Sequence, residues 1–322
     1  MPRIHAKNSP YWNSGVLTLM VAGVSVSYAA AELAEGIVDH GTVLALRLFA
    51  LSSALFSLLL FYARFIEPFW IAVTRYRVAF PVAGLRVAVI GDFHVGPHKQ
   101  DRFVRKAAER ANRLKPDVIL LVGDFLYDHR ANVEHLEPLR HLRARLGVFA
   151  VMGNHDSGSH HVPGGAHDTR TPDRTPDLDR FLTSIGIRFL RNASVRVGHG
   201  DESFAIAGVD DLWMESSDLR KTLKDVEKGE PCLLLSHQPD VILDPASHRA
   251  DLIVSGHTHG GQMRLPWVGS LSHTPQRLNK KFDRGIFPVG KNTVLAITHG
   301  IGETFVPLRF LTRPEIMVLE TR

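Results

Sequence analysis

The sequence has a single cysteine, Cys232, among its 322 residues. This scarcity excludes a disulfide framework and a metal site built from thiolates. Cys232 lies in the apolar run PCLLLS, which predicts a buried strand position. The sequence also lacks an internal repeat and a basic stripe with interleaved aromatic residues, so nucleic acid is not an expected partner. The formal charge of +5 is modest for this length, and the 44% apolar content excludes disorder as the default state.

Two long apolar runs, residues 16–34 and 43–62, are each long enough to cross a bilayer as a helix. They predict a transmembrane helical hairpin within an N-terminal anchor, residues 1–65, followed by a globular domain over residues 66–322. Two alternatives remain open: the first run is a cleaved signal peptide, or one run is a helix buried within the protein.

The charges around these runs predict their orientation. Arg3 and Lys7 precede the first run and several arginines follow the second, whereas the intervening loop carries Glu35 and Asp39 and no basic residue. Because Lys and Arg are retained on the cytoplasmic side, we expect both ends and the domain on the cytoplasmic face of the cell (inner) membrane.

Beyond the anchor, short apolar runs alternate with turn signals. The run PFWIAVTRYRVAF, residues 68–80, predicts a strand, or a hairpin with the run after it. The runs RVAVI, DVILLV and GVFAVM are separated by two predicted helices, and in the first of these Val104, Ala108 and Ala111 recur at helical spacing. After a polar stretch, residues 157–177, strand signals resume. This alternation predicts βαβ units and a sheet flanked by helices.

Five of these apolar runs end in a set of polar residues. GDFH follows RVAVI, GD follows DVILLV, GNHD follows GVFAVM, HQP follows CLLLS, and GHTH follows DLIVS. In open α/β sheets, ligands bind beyond the carboxyl ends of the strands. We therefore expect all five sets to meet at one edge.

The residues expected to meet there carry imidazole, carboxylate and amide groups without sulfur. Such a set suits a hydrolytic Mn, Fe or Zn site. The residues are Asp92, His94, Asp124, Asn154, His155, Asp156, His237, His257 and His259.

The local spacing predicts how these side chains are aimed. Alternate residues of an extended chain point the same way, so Asp92 with His94, and the pair in GHTH, should each direct two ligands at one site. Glycines before the sets should let the backbone turn sharply beneath an ion. These glycines are Gly91, Gly123, Gly153 and Gly256.

The five sets resemble the motif blocks of the calcineurin-like metallophosphoesterase superfamily, which run D-x-H, G-D, G-N-H-[DE], H and G-H-x-H. The stretches AGVDD, SGHTHGGQMRLP and VPLRFLTRPEI are similar to its membrane-anchored branch of the YkuE and YaeI type. The resemblance covers residues 66–322. It implies an α/β fold, a four-layer αββα sandwich, that follows the transmembrane hairpin in the sequence.

Carried over by position, the resemblance implies two divalent metal ions, Mn, Fe or Zn. The ligands of one ion would be Asp92, His94 and His259. The ligands of the other would be Asn154, His237 and His257. Asp124 would bridge both ions.

The implied reaction is hydrolysis of a phosphoester or pyrophosphate bond by direct attack of metal-bound hydroxide. His155 would protonate the leaving group, with Asp156 orienting it. Two departures from the branch stand out. His160, His161 and His167 lie in the polar stretch after GNHD, where aromatic residues are common, and we expect them to be solvated. His299 occupies a position where Arg is expected.

The predicted anchor bears on the substrate. Because few residues separate Tyr62 from the first strand, the domain should lie close to the bilayer, and a lipid-linked substrate such as UDP-2,3-diacylglucosamine follows from the resemblance. A broad phosphodiesterase or phosphomonoesterase acting on soluble or envelope esters is the alternative, and a non-catalytic membrane-tethered module is a third. Trp267, on the loop after GHTH, is expected to pack, with lipid or substrate contact as the other interpretation.

Overall fold

The computed structural model describes residues 10–158, 160–161, 167–168, 172–214, 216–271 and 277–322. The predicted solvation of His160, His161 and His167 concerns side chains that lie outside this description. Two long helices, α1 (Pro10–Glu35) and α2 (His40–Phe61), form an N-terminal hairpin. Asp39 caps α2 by accepting a hydrogen bond from the amide of Thr42 at 2.7 Å.

Small and polar residues lie between the two hairpin helices. Ser27 donates to the carbonyl of Ala50 and Ser53 donates to that of Gly23, each at 2.7 Å. Most of the large aliphatic side chains face outward and are exposed. Both helices are long and apolar enough to cross a membrane, with only 11% of each span buried in the protein. The alternative of a helix buried within the protein is therefore wrong.

A short π-helical turn (Tyr62–Ile66) and a 3₁₀ turn (Glu67–Phe69) lead from α2 into the first sheet. In spatial order its strands are β1 (Ala72–Val78), β16 (Glu315–Thr321), β2 (Arg86–Ile90), β3 (Val118–Val122), β4 (Gly147–Val151) and β7 (Arg188–Phe189). Strands β2, β3, β4 and β7 are parallel. The C-terminal strand β16 lies between β1 and β2, parallel to β1 and antiparallel to β2.

The second sheet also has six strands. In spatial order they are β14 (Gly285–Val289), β15 (Thr293–Ile297), β11 (Leu252–Ser255), β10 (Cys232–Leu235), β9 (Glu202–Gly208) and β8 (Ala193–His199). The four inner strands are parallel, and the two edge strands are antiparallel to their neighbours. Two small ribbons complete the strands: β5 (His160–His161) with β6 (His167–Asp168), and β12 (Arg264–Leu265) with β13 (Gly269–Ser270).

The two sheets pack face to face, with side chains of β2 and β3 against those of β10 and β11. Helices α3 (Asp101–Arg113) and α5 (Thr175–Ser184) cover the outer face of the first sheet. The short helix α6 (Leu219–Thr222) and two 3₁₀ turns (Pro239–Leu243 and Pro245–Arg249) cover the second. The predicted αββα sandwich is confirmed. Cys232 is buried on β10, as predicted.

Two local predictions and one alternative are wrong. The second predicted helix is a 3₁₀ turn (Val133–His141), because Pro138 inside it removes an amide donor. The strand predicted within residues 68–80 is present as β1, but the alternative of a hairpin with β2 is wrong, since β16 separates the two strands. Trp267 does not pack, because its side chain is fully exposed at 102% of the reference area.

Candidate metal centre

The five polar sets meet at the carboxyl edge of the two sheets. Three follow β2, β3 and β4 of the first sheet, and two follow β10 and β11 of the second, with GNHD opening the short helix α4 (Asn154–Ser157). Hydrogen bonds join the sheets at this edge. The amide of His257 donates to Asp92 Oδ1 at 2.9 Å, and Nδ1 of His237 donates to the carbonyl of Val122 at 2.7 Å.

The backbone beneath the site is turned rather than extended. Asp92 and His94 have φ of 51° and 44°, and His257 and His259 have φ of 69° and 52°. The predicted extended geometry is therefore wrong, although the side chains do converge. Asp124, with φ of 52°, shares this left-handed conformation, which is rare for residues with a side chain. Such strain recurs at functional sites.

Two glycines are required for different reasons. Gly123 has φ of 85°, and a Cβ there would lie 2.8 Å from Nδ1 of His237. Gly256 has no positive φ, but a Cβ there would lie 2.7 Å from Oδ2 of Asp92. Glycine therefore gives the turn at one strand end and the close approach of a carboxylate at the other.

The first group of side chains, which we call the first half, contains Asp92, His94 and His259. Nε2 of His259 lies 3.1 Å from Nε2 of His94 and 3.7 Å from Oδ1 of Asp92. One donor atom from each of these residues and from Asp124 falls within a 4.8 Å cluster, and all four residues are buried.

The second half contains Asn154, His237 and His257. Oδ1 of Asn154 lies 3.2 Å from Nε2 of His237 and 3.0 Å from Nδ1 of His257. These two histidine nitrogens are 3.3 Å apart. All three residues are buried.

Asp124 lies between the two halves. Its Oδ2 is 3.4 Å from Nε2 of His94 and 3.3 Å from Nε2 of His237. Its Oδ1 accepts a hydrogen bond from the amide of His155 at 2.9 Å. One carboxylate therefore contacts a histidine of each half.

Backbone carbonyls fix which nitrogen of each ring faces the cluster. The carbonyls of Val122 and Gly302 accept hydrogen bonds from Nδ1 of His237 and of His259, at 2.7 and 3.2 Å. Because a carbonyl can only accept, Nδ1 carries the proton in both rings and Nε2 faces the cluster. Carbonyl contacts of this kind orient histidine ligands in metal sites.

The electrostatics differ between the rings. Burial lowers the pKa of both His94 and His259 well below the usual value, so both rings are neutral. Burial also acts to lower the pKa of His237, but Asp124 and Asp92 outweigh it and raise that pKa to about 10. Burial raises the pKa of Asp92 to about 7. The contact with His237 holds the pKa of Asp124 well below its usual value against the effect of burial.

His155 and Asp156 have separate contacts. Nδ1 of His155 donates to the carbonyl of Tyr127 at 2.7 Å, and its ring centroid lies 4.6 Å from that of His94. The carboxylate of Asp156 accepts hydrogen bonds from the amides of Gly153, Phe125 and Leu126 at 3.0 to 3.2 Å. Asp156 thus holds the backbone turn after Asp124, while a carbonyl holds the ring of His155.

Several residues at the site were not predicted. The carbonyls of Val122, Tyr127 and Gly302 give no side-chain signal in a sequence. Trp213 packs edge-on to His257 with ring centroids 4.9 Å apart, and the only sequence signal for it is its place just after AGVDD. His299, the departure noted above, lies 3.6 Å from the carboxylate of Glu315.

These residues fit a divalent cation. Among the described residues, Oδ2 of Asp92 is buried and has no hydrogen-bond partner. Nε2 of His259, whose Nδ1 carries the proton, presents a lone pair to the cluster 3.1 Å from Nε2 of the neutral His94 ring, and that lone pair requires an electron-pair acceptor. A cation satisfies both requirements, and this donor set of imidazole and carboxylate suits Mn, Fe or Zn.

A two-sheet sandwich with a buried Asp and His cluster at its carboxyl edge defines a metal-binding hydrolase of the α/β class. A model of the calcineurin-like phosphoesterase family matches residues 85–261. The chain belongs to this family, and it is a metallophosphoesterase.

Three relatives illustrate the similarity. The chain is 30% identical over 268 residues to the "Uncharacterized metallophosphoesterase YkuE" of Bacillus subtilis, covering 80% of this chain and 87% of the relative. It is 28% identical over 304 residues to the "UDP-2,3-diacylglucosamine pyrophosphatase LpxG" of Chlamydia trachomatis, covering 80% and 91%. It is 29% identical over 246 residues to the "Transmembrane protein with metallophosphoesterase domain" of Danio rerio, covering 72% and 52%.

Proposed function

We propose that the protein is a membrane-anchored phosphoesterase with two divalent metal ions. Asp92, His94 and His259 would hold one ion. Asn154, His237 and His257 would hold the other. Asp124 would bridge them, and the observation that carries this proposal is its Oδ2, which lies 3.3 to 3.4 Å from a histidine of each half.

When bound, the two ions supply a water of lowered pKa and neutralise the phosphoryl oxygens. The protein contributes the rest. His94 and His259 stay neutral through burial and keep their lone pairs for ligation. The left-handed backbone at Asp92 and Asp124 holds both carboxylates within the cluster.

His155 is the proposed general acid. Since the carbonyl of Tyr127 holds Nδ1, Nε2 is the nitrogen that protonates the departing oxygen. The ring is half-buried, unlike the ligand rings, which suits contact with both substrate and water. Asp156 acts indirectly by fixing the turn that presents Asp124.

Membrane anchoring is supported by the outward-facing apolar side chains of the hairpin and by its small-residue interface, which is typical of packed helices in lipid. We place the boundary between anchor and catalytic domain at residue 66. The flanking arginines support a cytoplasmic domain at the cell membrane.

The proposed substrate class is a lipid-linked phosphoester or pyrophosphate. A domain joined directly to a membrane hairpin meets substrates at the bilayer surface, and the name of the Chlamydia trachomatis relative gives UDP-2,3-diacylglucosamine as one candidate. The site retains a complete set of buried ligand residues, which argues against the non-catalytic tethered module.

The test uses full-length protein in detergent with Mn²⁺, assayed in parallel on UDP-2,3-diacylglucosamine and on bis(p-nitrophenyl) phosphate. Release of UMP, absent in Asp124→Ala, is the expected result. Hydrolysis of the chromogenic diester alone would reject the lipid-linked candidate in favour of a broad phosphodiesterase. Inactivity on both substrates, with no bound metal, would overturn the catalytic proposal.

A further inference from the structure

Exposed apolar side chains outside the hairpin are concentrated in one region. After Tyr62, nine large hydrophobic residues of the described chain are exposed, and eight of them fall within three short segments, residues 66–70, 265–271 and 305–311. Trp267 is fully exposed, and Phe305 and Val268 are exposed by 70% and 68%. Single exposed apolar residues are ordinary, but a concentration of them marks a contact surface.

Hydrogen bonds hold the three segments together. The side-chain amide of Gln262 donates to the carbonyls of Thr304 and Val306 at 3.2 and 2.6 Å, which ties the β12–β13 ribbon to the segment 304–311. That segment in turn contacts the end of the hairpin. The amide of Arg309 donates to the carbonyl of Ala63 at 2.9 Å.

The same junction is reinforced by side chains. The amides of Leu311 and Thr312 donate to the carboxylate of Glu67 at 3.0 and 2.6 Å, and the rings of Tyr62 and Phe310 meet edge to face at 6.4 Å. The exposed apolar segments therefore surround the point where the second helix leaves the proposed membrane span.

The backbone directs these side chains outward at a cost. Trp267, Phe305 and Leu311 have φ of 64°, 56° and 54°, a left-handed conformation that is unusual for bulky residues. Strain that presents an apolar side chain to solvent has no benefit for the isolated fold, so it indicates a function outside it.

Basic residues flank the same surface. Arg277, Lys280 and Lys281 are exposed. Lys280 and Lys281 share the 3₁₀ turn Lys280–Asp283 with Asp283, which forms an ion pair with Arg264 on β12, so these two lysines lie beside the ribbon. Cations beside exposed aromatic and aliphatic side chains match an interface of anionic lipid headgroups over acyl chains.

We propose that the apolar lip, defined as Leu265, Trp267, Val268, Leu271, Phe305 and Leu311, inserts into the bilayer that the hairpin spans. This inference rests on the proposed anchoring and adds a second membrane contact to it. The ribbon begins five residues after His259, so the lip would hold the entrance of the metal centre against the lipid surface. Amphipathic esters would then reach the site without leaving the bilayer.

The test places an environment-sensitive fluorophore at position 267 of the full-length chain, as Trp267→Cys, in vesicles of phosphatidylcholine and phosphatidylglycerol. Cys232 does not interfere, because it is buried and burial raises the pKa of its thiol to about 12. Lipids with a nitroxide on the acyl chain should quench the fluorophore strongly. Asp201→Cys is the matched control, since it is exposed in the β8–β9 turn at the opposite edge of the sheet.

Quenching at 267 that is several times that at 201 supports the insertion. Equal quenching at the two positions overturns it. So does protection of position 267 from aqueous iodide without lipid quenching, which would show a protein contact instead. Phe305→Cys, with Trp267 intact, repeats the measurement in case the first label disturbs the ribbon.

Two further readouts separate this inference from the proposed function. Resistance to alkaline carbonate extraction reports whether the hairpin spans the membrane. Hydrolysis of bis(p-nitrophenyl) phosphate by the same vesicles reports the metal centre, and Trp267→Cys should leave it unchanged. An active, membrane-spanning protein without lipid quenching at 267 would refute the lip alone.

Discussion

The two halves of the metal centre have the same number of side chains but different charge. The first half has a carboxylate, Asp92, beside two neutral imidazoles, whereas the second has the amide of Asn154 in the same role. The second half depends on Asp124 for its negative charge, and without metal that charge forms an ion pair with His237. A cation should therefore be held more firmly in the first half.

The halves also differ in their neighbours. The ring of His155 lies beside His94 in the first half, and Trp213 lies beside His257 in the second. The proposed general acid on one side and an aromatic ring on the other make the two sides of the site chemically different. The leaving group is thus expected over the first half.

The largest effect is expected from removing what the halves share. Asp124→Asn keeps the size of the side chain but removes its charge, so both ions should be held weakly and kcat should fall by about a thousandfold or more. Metal content by mass spectrometry and initial rates check this. Asp128→Asn, four residues on and paired with Arg130 at the surface, is the matched control. A variant that keeps both metal ions and a near-normal rate would refute the bridging role.

His155→Ala should separate catalysis from metal binding. Loss of the general acid predicts a fall in kcat of about a hundredfold to ten thousandfold on an alkyl phosphodiester. The loss should be much smaller on bis(p-nitrophenyl) phosphate, since its leaving group is stable as an anion. Bound metal should be unchanged, and the exposed His141→Ala is the control. Equal losses on both substrates would contradict the proposed acid.

Metal affinity should rise with pH because ligation displaces protons. Without metal, the pKa of His237 is about 10 and that of Asp92 about 7. Ligation requires the deprotonated form of each. The affinity of the second half should fall by about tenfold per pH unit from pH 9 to 7 as the proton on His237 competes, whereas the affinity of the first half should fall only below pH 7, where Asp92 takes up a proton. Calorimetry in buffers of different ionisation enthalpy measures the protons released, and a pH-independent affinity would contradict this.

The metal-free protein should show the opposite trend from the same histidine. The folded pKa of His237 is raised above its unfolded value near 6.5. Its contribution to stability is therefore fully present below pH 6.5 and is lost as pH rises toward 10. Thermal unfolding is measured across this range with and without metal. The Tm of the metal-free protein should fall as pH rises, whereas the increase in Tm that metal gives should grow.

The smallest effect concerns the second half alone. A chelator titration should remove one metal equivalent before the other, since the second half has no carboxylate of its own. Asn154→Asp adds a carboxylate, and should raise the affinity for the more weakly held metal ion by about tenfold. Loss of both equivalents together in the native protein would remove the difference between the halves.

The sequence was informative where a polar set followed an apolar run. Buried strands such as Val118–Val122 are recognisable by composition, and parallel strands bring their carboxyl ends together, so the convergence of Asp92, Asp124 and His237 was predictable. The contacts made by carbonyls, such as Gly302 on His259, were not, because backbone atoms are the same in every residue.

The long-range pairing of strands and the exposure of single side chains could not be predicted from the sequence either. Nothing in the run EIMVLE distinguishes an edge strand from the inner position that β16 takes. Trp267 was expected to pack because tryptophan is mostly buried, and that average does not hold for a residue on the turn of a two-stranded ribbon. Asp156 differs again, since two of its three amide partners, Phe125 and Leu126, belong to the turn that follows another strand.

The inner position of β16 also sets an order on biosynthesis. The strands on either side of it, β1 and β2, leave the ribosome early, but the ladder between them is completed only by residues 315–321, which follow all the other strands of the two sheets. The first sheet therefore stays open until residues 315–321 have been synthesised. A nascent chain cut short before β16 cannot close its first sheet, so synthesis of β16 becomes the step that completes the framework of the metal centre.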